Sequence, residues 1–464
     1  MTTGLLSSDE IRAAFSAALS DMYRREVPAY GTLLALVAQV NEATLAASPE
    51  LRARLEKTDS LDRISEERHG AIRVGTPGEL ATMRRIFAVM GMHPVGYYDL
   101  SDAGVPVHST AFRPVDAAAL SFNPFRVFTS LLRLDLIEDT GLRERARKVL
   151  SERRIFTDEA LDLLDRAEAD GGLADGDAMR FVAEVLETFR WHREARVDAE
   201  MYRSLHETHR LIADVVSFRG PHINHLTPRT LDIDAVQRLM PEHGIAPKAV
   251  IEGPPSRACP ILLRQTSFKA LEERVLFPGS RGRTVGGSHT ARFGEIEQRG
   301  IALTPKGRAL YDRLLADARS VARPSADGSN ADTYRNALAQ AFKPFPDDWP
   351  EIRRQGLGYF SYSVDEGRIG RARCGADFDA LIAAGIIRFD AIVYEDFLPV
   401  SAAGIFQSNL GDGSSVELTA SPNRSMFEEA LGAAVIDEFE HYRGIEAASL
   451  AMCRARLGKL ELTS

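Results

Sequence analysis

The sequence predicts an α+β protein whose core is made of two β-α-β-β-β modules, with added helices. The first observation is that strand and helix candidates follow one another in the same order in two parts of the chain. The second is that the helices of both copies end in similar turns, Gly91-Met-His-Pro94 and Gly244-Ile-Ala-Pro247. In both copies an acid lies five residues past that proline, at Asp99 and at Glu252.

The first copy begins at the strand candidate His69-Gly-Ala-Ile-Arg-Val74. Thr76, Pro77 and Glu79 follow in the pattern of a helix start, because Thr can cap, Pro suits the first position and Glu completes a capping box. An apolar stripe at helical spacing runs up to Gly91, which ends the helix. The remaining strand candidates are His93–Leu100, Val105–Phe112 and Phe125–Leu136.

The second copy repeats this order. A strand candidate at Pro221–Leu231 leads to Asp232, which can cap a helix that ends at Gly244. The remaining strand candidates are Lys248–Glu252, Ile261–Phe268 and Ala291–Leu303. The glycine-rich stretch 279–288 does not link a strand to a helix, so it predicts a mobile loop and a candidate lid rather than a phosphate cradle.

These elements predict a division of the chain into five segments. N-terminal helices occupy residues 1–66, and residues 8–60 have helical periodicity with Ser8 as a candidate cap. The other segments are the first module at 67–138, a helical insertion at 139–214, the second module at 215–304 and a C-terminal α/β region at 305–464 that completes the site.

Composition excludes several functional classes. Among 464 residues, 57 Lys and Arg stand against 66 Asp and Glu, a net charge of −9, so nucleic acid is not an expected partner. No apolar run approaches ~18 residues and no signal peptide is recognisable, so we expect a cytoplasmic protein without a membrane span. The three cysteines are far apart, which excludes a disulfide scaffold, a thiolate zinc site and an iron–sulfur cluster. The eleven histidines remain for metal chemistry.

The opening strand of the first copy has an unusual face. On a strand, His69, Ala71 and Arg73 share one side, while Ile72 and Val74 turn into the core. This combination suits the wall of a pocket. The histidine could bind a metal ion, the small residue leaves room for a ligand, and the arginine could bind an anionic group. The alternative is that Arg73 pairs with a structural acid such as Glu67 or Glu295.

Histidines also open the second copy, in Pro221-His-Ile-Asn-His225. Residues three apart on a strand face opposite sides, so His222 and His225 cannot both face one metal ion. A different pair, His206-Glu-Thr-His209, lacks one residue of the zinc-protease spacing and predicts a helical surface.

The last strand candidate of the second copy contributes acids. Phe293, Glu295 and Glu297 share one face of it. If His69 and His225 converge, one glutamate would complete a facial triad of two histidines and one carboxylate, which favours Fe(II) and leaves three positions open. Spacing alone does not decide between Glu295 and Glu297.

At this point the sequence resembles the vicinal oxygen chelate superfamily, in its paired modules, its histidines on opening strands and its glutamate on the last strand. The resemblance implies a curved mixed sheet around a metal ion. The stretch Phe293-Gly-Glu-Ile-Glu-Gln-Arg299 is similar to the segment that holds the metal glutamate in 4-hydroxyphenylpyruvate dioxygenase. That register assigns Glu295 to the metal and leaves Glu297 beside it.

Nearly the whole chain resembles the 2-oxoadipate dioxygenase/decarboxylase family, also called hydroxyglutarate synthase. The matching stretches are Glu67–Gly75, Val105–Pro114, His222–Arg229 and Phe397–Gly411. The resemblance implies that His69, His225 and Glu295 bind Fe(II) and act through it, the two histidines also facing the substrate. It further implies that Arg73 grips the substrate, and that Val400 and Ser401 close the pocket.

The reaction that the resemblance implies converts 2-oxoadipate and O₂ into D-2-hydroxyglutarate and CO₂, in lysine catabolism. One alternative keeps the fold and changes the chemistry to extradiol ring cleavage or a Zn/Ni isomerase of the glyoxalase type. The closing strand of the first copy offers no strong fourth ligand, which favours the open three-ligand site over the isomerase. The other alternative is a non-catalytic protein that binds a dicarboxylate.

Overall fold

A computed structural model of the chain describes residues 4–58, 61–268, 272–279, 283–290, 292–325, 328–371, 377–398 and 423–461. The predicted pocket residues Val400 and Ser401 lie outside these ranges. Across the ranges given, none of the helices has the length and hydropathy that crossing a bilayer requires.

Four helices precede the first strand, and helices and strands are mixed in the rest of the described chain. The α-helices are α1 (Ser8–Glu26), α2 (Pro28–Ala47), α3 (Pro49–Thr58), α4 (Leu61–Glu66), α5 (Pro77–Val89), α6 (Ala117–Phe122), α7 (Thr140–Ser151), α8 (Asp158–Asp170), α9 (Asp175–Phe189), α10 (Ala199–Thr208), α11 (Arg210–Ser217), α12 (Ile233–Leu239), α13 (Pro305–Val321), α14 (Ala331–Ala341), α15 (Trp349–Arg354), α16 (Phe378–Ala383), α17 (Asn423–Leu431) and α18 (Glu438–Glu461). Short 3₁₀ turns cover Ser101–Ala103, Leu134–Leu136, Met240–His243 and Ile369–Arg371.

The strands are short, which is typical of a mixed sheet. They are β1 (Arg68–Val74), β2 (His93–Asp99), β3 (Val107–Arg113), β4 (Arg126–Leu132), β5 (His225–Pro228), β6 (Leu263–Ser267), β7 (Glu272–Pro278), β8 (Thr284–Thr290), β9 (Glu295–Arg299), β10 (Phe360–Val364) and β11 (Ile387–Ala391).

The predicted N-terminal helices are present as α1 to α4. The cap of α1 is Ser7 rather than Ser8, because the Ser7 hydroxyl accepts from the Glu10 backbone and the Glu10 carboxylate accepts from Ser7 in return. Pro28 begins α2, where its missing N–H costs nothing.

The first β-α-β-β-β module is confirmed. Its strands join β5 in a five-stranded sheet of order β2-β3-β4-β1-β5. β1 pairs with β4 in parallel and with β5 in antiparallel, which sets His69 opposite Arg126 and Ala71 opposite His225. As predicted, Thr76 and Glu79 form the capping box that starts α5.

The second copy repeats the pairing, but with shorter strands. β5 bridges β9 in parallel between Arg229 and Glu297, just as β1 pairs with β4. β6 and β9 form a two-stranded sheet. The predicted strand at Lys248–Glu252 is wrong, because Pro247 makes a single bridge to Phe268, just past β6, and Glu252 lies in another single bridge with no strand between them. Gly253, with φ +108, and the two prolines after it leave no regular ladder here.

The prediction of a mobile loop at 279–288 is also wrong for the second half of that stretch. Residues from Thr284 onward form β8, which pairs with β7 in antiparallel. Glycine is required at Gly287, because a Cβ there would lie 2.6 Å from the ring of Phe277. A glycine-rich stretch can therefore be a strand when the partner strand supplies the bulky side chain.

The two faces of β1 lie in different environments, as strand parity predicted. Ile72 and Val74 belong to an apolar cluster formed with α1, α2, α5, α8 and α9. Ala71 belongs to a second cluster that also contains Phe128 and Phe397. The face that carries His69, Ala71 and Arg73 is thus enclosed by protein rather than exposed to solvent.

The described residues divide into two compact units. One comprises described residues up to 248, together with 265–297 and 397–435, and it contains the five-stranded sheet. The other comprises those in 249–264, 298–396 and 436–464. In this second unit β10 pairs with β11, and the Phe360 N–H on β10 donates to Glu446 on α18 at 2.9 Å.

Candidate metal centre

The structure brings His69, His225 and Glu295 together on three neighbouring strands. One ligand atom from each lies within 4.8 Å of the others. The Oε1 atom of Glu295 is 3.1 Å from His69 Nε2 and 3.9 Å from His225 Nε2. All three side chains are fully buried.

Several polar atoms of this cluster lack the partner that burial demands. Neither ring nitrogen of His225 has a hydrogen-bond partner among the described residues, nor has Glu295 Oε2. Buried polar atoms without partners are costly and rare, so each calls for an explanation. A divalent metal ion held by two imidazole nitrogens and a carboxylate supplies the missing partner, and the residues therefore fit such an ion.

Burial and charge set the protonation of the three groups. Burial holds the pKa of His225 well below its ordinary value, and the charges of His69 and Arg73 act in the same direction. His225 is therefore neutral, as a metal ligand must be. Burial also raises the pKa of Glu295. For His69 burial acts to lower the pKa, but Glu297 and Glu295 outweigh it and the pKa is raised.

Glu295 and Glu297, which spacing could not tell apart, occupy different places. Glu295 faces His69 Nε2 and His225, whereas Glu297 Oε1 lies 3.1 Å from His69 Nδ1 on the other side of the ring. Only Glu295 is thus near both histidines, and it also accepts from Gln265 Nε2 at 2.9 Å and Thr227 Oγ1 at 3.2 Å.

An alternating network of buried charges extends behind Glu297. Arg126 lies 3.4 Å from Glu297 and donates to Glu67 at 2.9 Å, and Glu67 in turn accepts from Arg229 at 2.8 Å. These side chains are at most 5% exposed, so the pairs are poorly screened by solvent. The network holds the carboxylate of Glu297, which lies 3.1 Å from His69 Nδ1. Its members come from separate segments of the chain, and nothing in the local sequence around Arg126 or Glu67 signals this role.

Arg73 is buried and pairs with an acid that spacing did not single out. Its Nη1 atom donates to Asp214 Oδ2 at 2.7 Å, so neither Glu67 nor Glu295 is the partner. His222 Nε2 lies 3.3 Å from Asp214 Oδ1, which places His222 away from His225 and confirms that the two histidines face different groups.

Two aromatic rings lie beside the cluster on the side of His69. The ring of Phe397 packs edge-on against His69 at 4.9 Å between centroids and against Phe128 at 5.3 Å. Phe397 opens the stretch that carries Val400 and Ser401, whose own positions lie outside the described residues. The predicted closing strand of the first copy, now β4, supplies Arg126 rather than a fourth ligand.

The fold and this cluster define a class. The chain is an α+β protein with a vicinal-oxygen-chelate-like core, in which two histidines and a glutamate are placed to hold a metal ion. Comparison with known proteins then gives the particular family. Residues 15–409 match the family described as 2-oxoadipate dioxygenase/decarboxylase.

Relatives with that name are similar over almost their full length. The protein from Pseudomonas putida is 59% identical over 456 residues, covering 97% of this chain and 98% of the relative. The protein from Escherichia coli is 56% identical over 451 residues, with the same coverage of each chain. The chain belongs to the 2-oxoadipate dioxygenase/decarboxylase family, and the resemblance recognised in the sequence is confirmed.

Comparison with solved structures gives the same family. The hydroxyglutarate synthase from Pseudomonas putida in complex with 2-oxoadipate superposes with a TM-score of 0.90 at 57% identity, covering 98% of this chain and 99% of that one. The structure of that synthase described without 2-oxoadipate gives a TM-score of 0.88 at 54% identity, with the same coverage.

Proposed function

We propose that this chain is an Fe(II)-dependent dioxygenase/decarboxylase that converts 2-oxoadipate and O₂ into D-2-hydroxyglutarate and CO₂. The observation that carries the proposal is the buried His69, His225 and Glu295 cluster with its unpartnered ligand atoms, in a chain of this family. A cytoplasmic location, expected from the sequence features, and a place in lysine degradation, implied by the resemblance, stay predictions.

The three residues would hold the ion and leave positions open on it. Bound Fe(II) would supply a site where the 2-oxo acid can chelate and O₂ can react. The family's reaction is balanced without another reductant, because both atoms of O₂ enter the hydroxy diacid while C1 of the oxo diacid leaves as CO₂.

The protein's own groups would orient the reactants and exclude water. Glu297 beside Nδ1 would keep the proton of His69 there and leave Nε2 directed at the ion, as acids beside metal-binding histidines do. Arg73 would bind the distal carboxylate of the diacid through charge-assisted hydrogen bonds. The Phe397 and Phe128 rings would keep water from the His69 side.

The resemblance also assigns Val400 and Ser401 to closing the pocket. We propose that role for them. Support comes from Phe397, which precedes them in the sequence and whose ring packs against His69. A combined Val400→Gly and Ser401→Gly variant should bind 2-oxoadipate more weakly and keep its iron.

The experiment is anaerobic loading with Fe(II), followed by addition of O₂ and 2-oxoadipate with an oxygen electrode and product analysis. We expect O₂ uptake and 2-hydroxyglutarate, and we expect His225→Ala to lose bound iron and turnover together. A glyoxalase-type isomerase would consume no O₂. If His225→Ala kept its affinity for the diacid and the wild type showed no turnover, a plain binding protein would be favoured.

A further inference from the structure

A second buried cluster lies behind Arg73 and is centred on Asp214. The Oδ2 atom of Asp214 accepts from Arg73 at 2.7 Å, while Oδ1 lies 2.8 Å from His289 Nε2 and 3.3 Å from His222 Nε2. Each of these four side chains is at most 10% exposed. One carboxylate therefore joins the arginine to two histidines that do not belong to the metal-ligand cluster.

The hydrogen bonds of His289 define its role in this cluster. An ionised carboxylate only accepts, so the proton of His289 is on Nε2, facing Asp214. The other nitrogen, Nδ1, lies 2.7 Å from the Tyr202 hydroxyl, within hydrogen-bond distance. The ring is thus held at both ends, and it holds Asp214 in turn.

The charges keep Asp214 ionised. Burial would raise the pKa of Asp214, but His222, His289 and Arg73 outweigh it, and the pKa lies well below its ordinary value. Arg73 in turn lies within electrostatic reach of His225, whose pKa its charge helps to lower. Arg73 thus pairs with Asp214 and lies on the strand face that also carries His69, with Ala71 between them opposite His225.

An arginine that binds a substrate carboxylate at one defined position is more effective when its side-chain conformation is already fixed before binding. A free arginine side chain has many rotamers, and fixing it on binding costs conformational entropy. A guanidinium carries five N–H donors, so one acidic partner does not saturate it. Asp214 can therefore hold one edge of Arg73 while another edge serves a substrate.

We propose that Asp214, held by His289 and His222, is the positioning residue that fixes Arg73 for the distal carboxylate of the 2-oxo diacid. Because His289 belongs to β8, the β7–β8 hairpin contributes to diacid selectivity through this contact. The inference rests on the proposed function and adds to it the residues that select a diacid over a monoacid.

The test uses the Fe(II)-loaded enzyme with 2-oxoadipate and with 2-oxohexanoate, which has the same chain length but no distal carboxylate. Asp214→Asn keeps the volume and removes the charge. We expect the KM for 2-oxoadipate to rise roughly 10- to 100-fold, the loss typical of a charge-assisted hydrogen bond. The kcat, the iron content and the kinetics with 2-oxohexanoate should change far less.

Two further variants separate positioning from a structural role. His289→Gln keeps a donor close to where Nε2 lies and should retain most of the affinity for the diacid, whereas His289→Phe should lose it. Asp99→Asn is the matched control, because Asp99 lies on the edge strand β2, where it accepts from Ser101 and Asn423. Its KM values should equal those of the wild type.

The proposal is overturned if Asp214→Asn weakens both substrates equally, or if the KM for 2-oxoadipate does not change. If Asp214→Asn does not fold, the difference between His289→Gln and His289→Phe decides. Failure of the proposed function would look different, since the wild type would then take up no O₂ with 2-oxoadipate. Anaerobic calorimetry of 2-oxoadipate binding to the same variants would still test the positioning.

Discussion

At the scale of single residues, His69 lies between two acids with different tasks. Glu295 lies at Nε2 with His225 nearby, and Glu297 lies at Nδ1 with Arg126 behind it. Acids that hold the second nitrogen of a metal-binding histidine orient the ring and raise its basicity. We therefore expect the charge network behind Glu297 to affect metal affinity, although none of its members belongs to the proposed ligand set.

Glu297→Gln should weaken metal binding without removing it. The neutral amide holds Nδ1 less well, and loss of such a contact typically costs about 10- to 100-fold in metal affinity. Competition with a metal chelator of known affinity measures the effect. Glu79→Gln is the control, because Glu79 is also a buried acid paired with an arginine, Arg153, at 2.6 Å. Equal affinities in Glu297→Gln and wild type would contradict the assignment.

Arg73→Ala should separate substrate binding from metal binding. The variant loses the group proposed for the distal carboxylate, so KM for 2-oxoadipate should rise by roughly 10- to 100-fold or more. Iron content, measured by elemental analysis, should stay near that of the wild type. Loss of iron instead would indicate that Arg73 supports the metal centre. It would contradict the proposal that Arg73 binds the distal carboxylate of the substrate.

Strand parity was enough to group His69 with Arg73 and to predict that His222 and His225 face different groups. The choice of His225 as the metal ligand came from the resemblance to the family. Strand parity could not predict Asp214 or Arg126. Asp214 is 141 positions from Arg73, and Arg126 is 171 positions from Glu297. Such pairs depend on how helices and strands pack, which no local pattern encodes.

At the scale of elements, close approach explains where glycine is needed. A Cβ on Gly307 in α13 would lie 1.8 Å from the carbonyl oxygen of Leu357, so the helix touches the backbone of a neighbouring segment. Gly444 in α18 has no neighbour within 4 Å of a built Cβ. Both positions belong to the second compact unit.

Gly307→Ala should therefore destabilise the protein, whereas Gly444→Ala should stabilise it. Overpacking against backbone costs about 1–3 kcal/mol. Replacing an exposed glycine inside a helix by alanine gains roughly 0.5–1 kcal/mol. Chemical denaturation of the two variants measures the free energy of unfolding, and a Gly307→Ala variant as stable as the wild type would contradict the packing at Gly307.

Elements with clear periodicity and capping residues were predicted well. An example is α5, which begins at the capping box formed by Thr76 and Glu79. The wrong predictions concern segments whose structure depends on pairing with another strand. The hairpin strand β8 has too many glycines to show a strand pattern, and it forms because β7 lies beside it. The stretch after Pro247 is apolar like a strand, but its glycine and prolines remove the ladder.

At the scale of the whole molecule, the candidate site joins parts that are far apart in sequence. His69 and Glu295 are 226 positions apart, and the strands that carry them meet only in the folded chain. The predicted division into N-terminal helices, two modules, a helical insertion and a C-terminal region stays a proposal. The matching order β1-β4-β3 and β5-β9-β6 supports the two modules.

Metal binding should stabilise the folded chain, because the unfolded chain cannot form this cluster. At a free metal concentration 100 times the Kd, the expected gain is about 2.7 kcal/mol. Anaerobic thermal melting with Fe(II), and with a chelator, measures it. The melting temperature should rise in the wild type and stay constant in His225→Ala, and an equal rise in both would place the ion elsewhere.

The central claim is that this chain uses one O₂ to convert 2-oxoadipate into 2-hydroxyglutarate and CO₂ at an iron held by His69, His225 and Glu295. The most direct measurement is turnover under ¹⁸O₂ with mass analysis of the product. We expect 2-hydroxyglutarate that carries two ¹⁸O atoms from the wild type, and none formed by Glu295→Ala. Product without the label, or the same labelled product from Glu295→Ala, would contradict it.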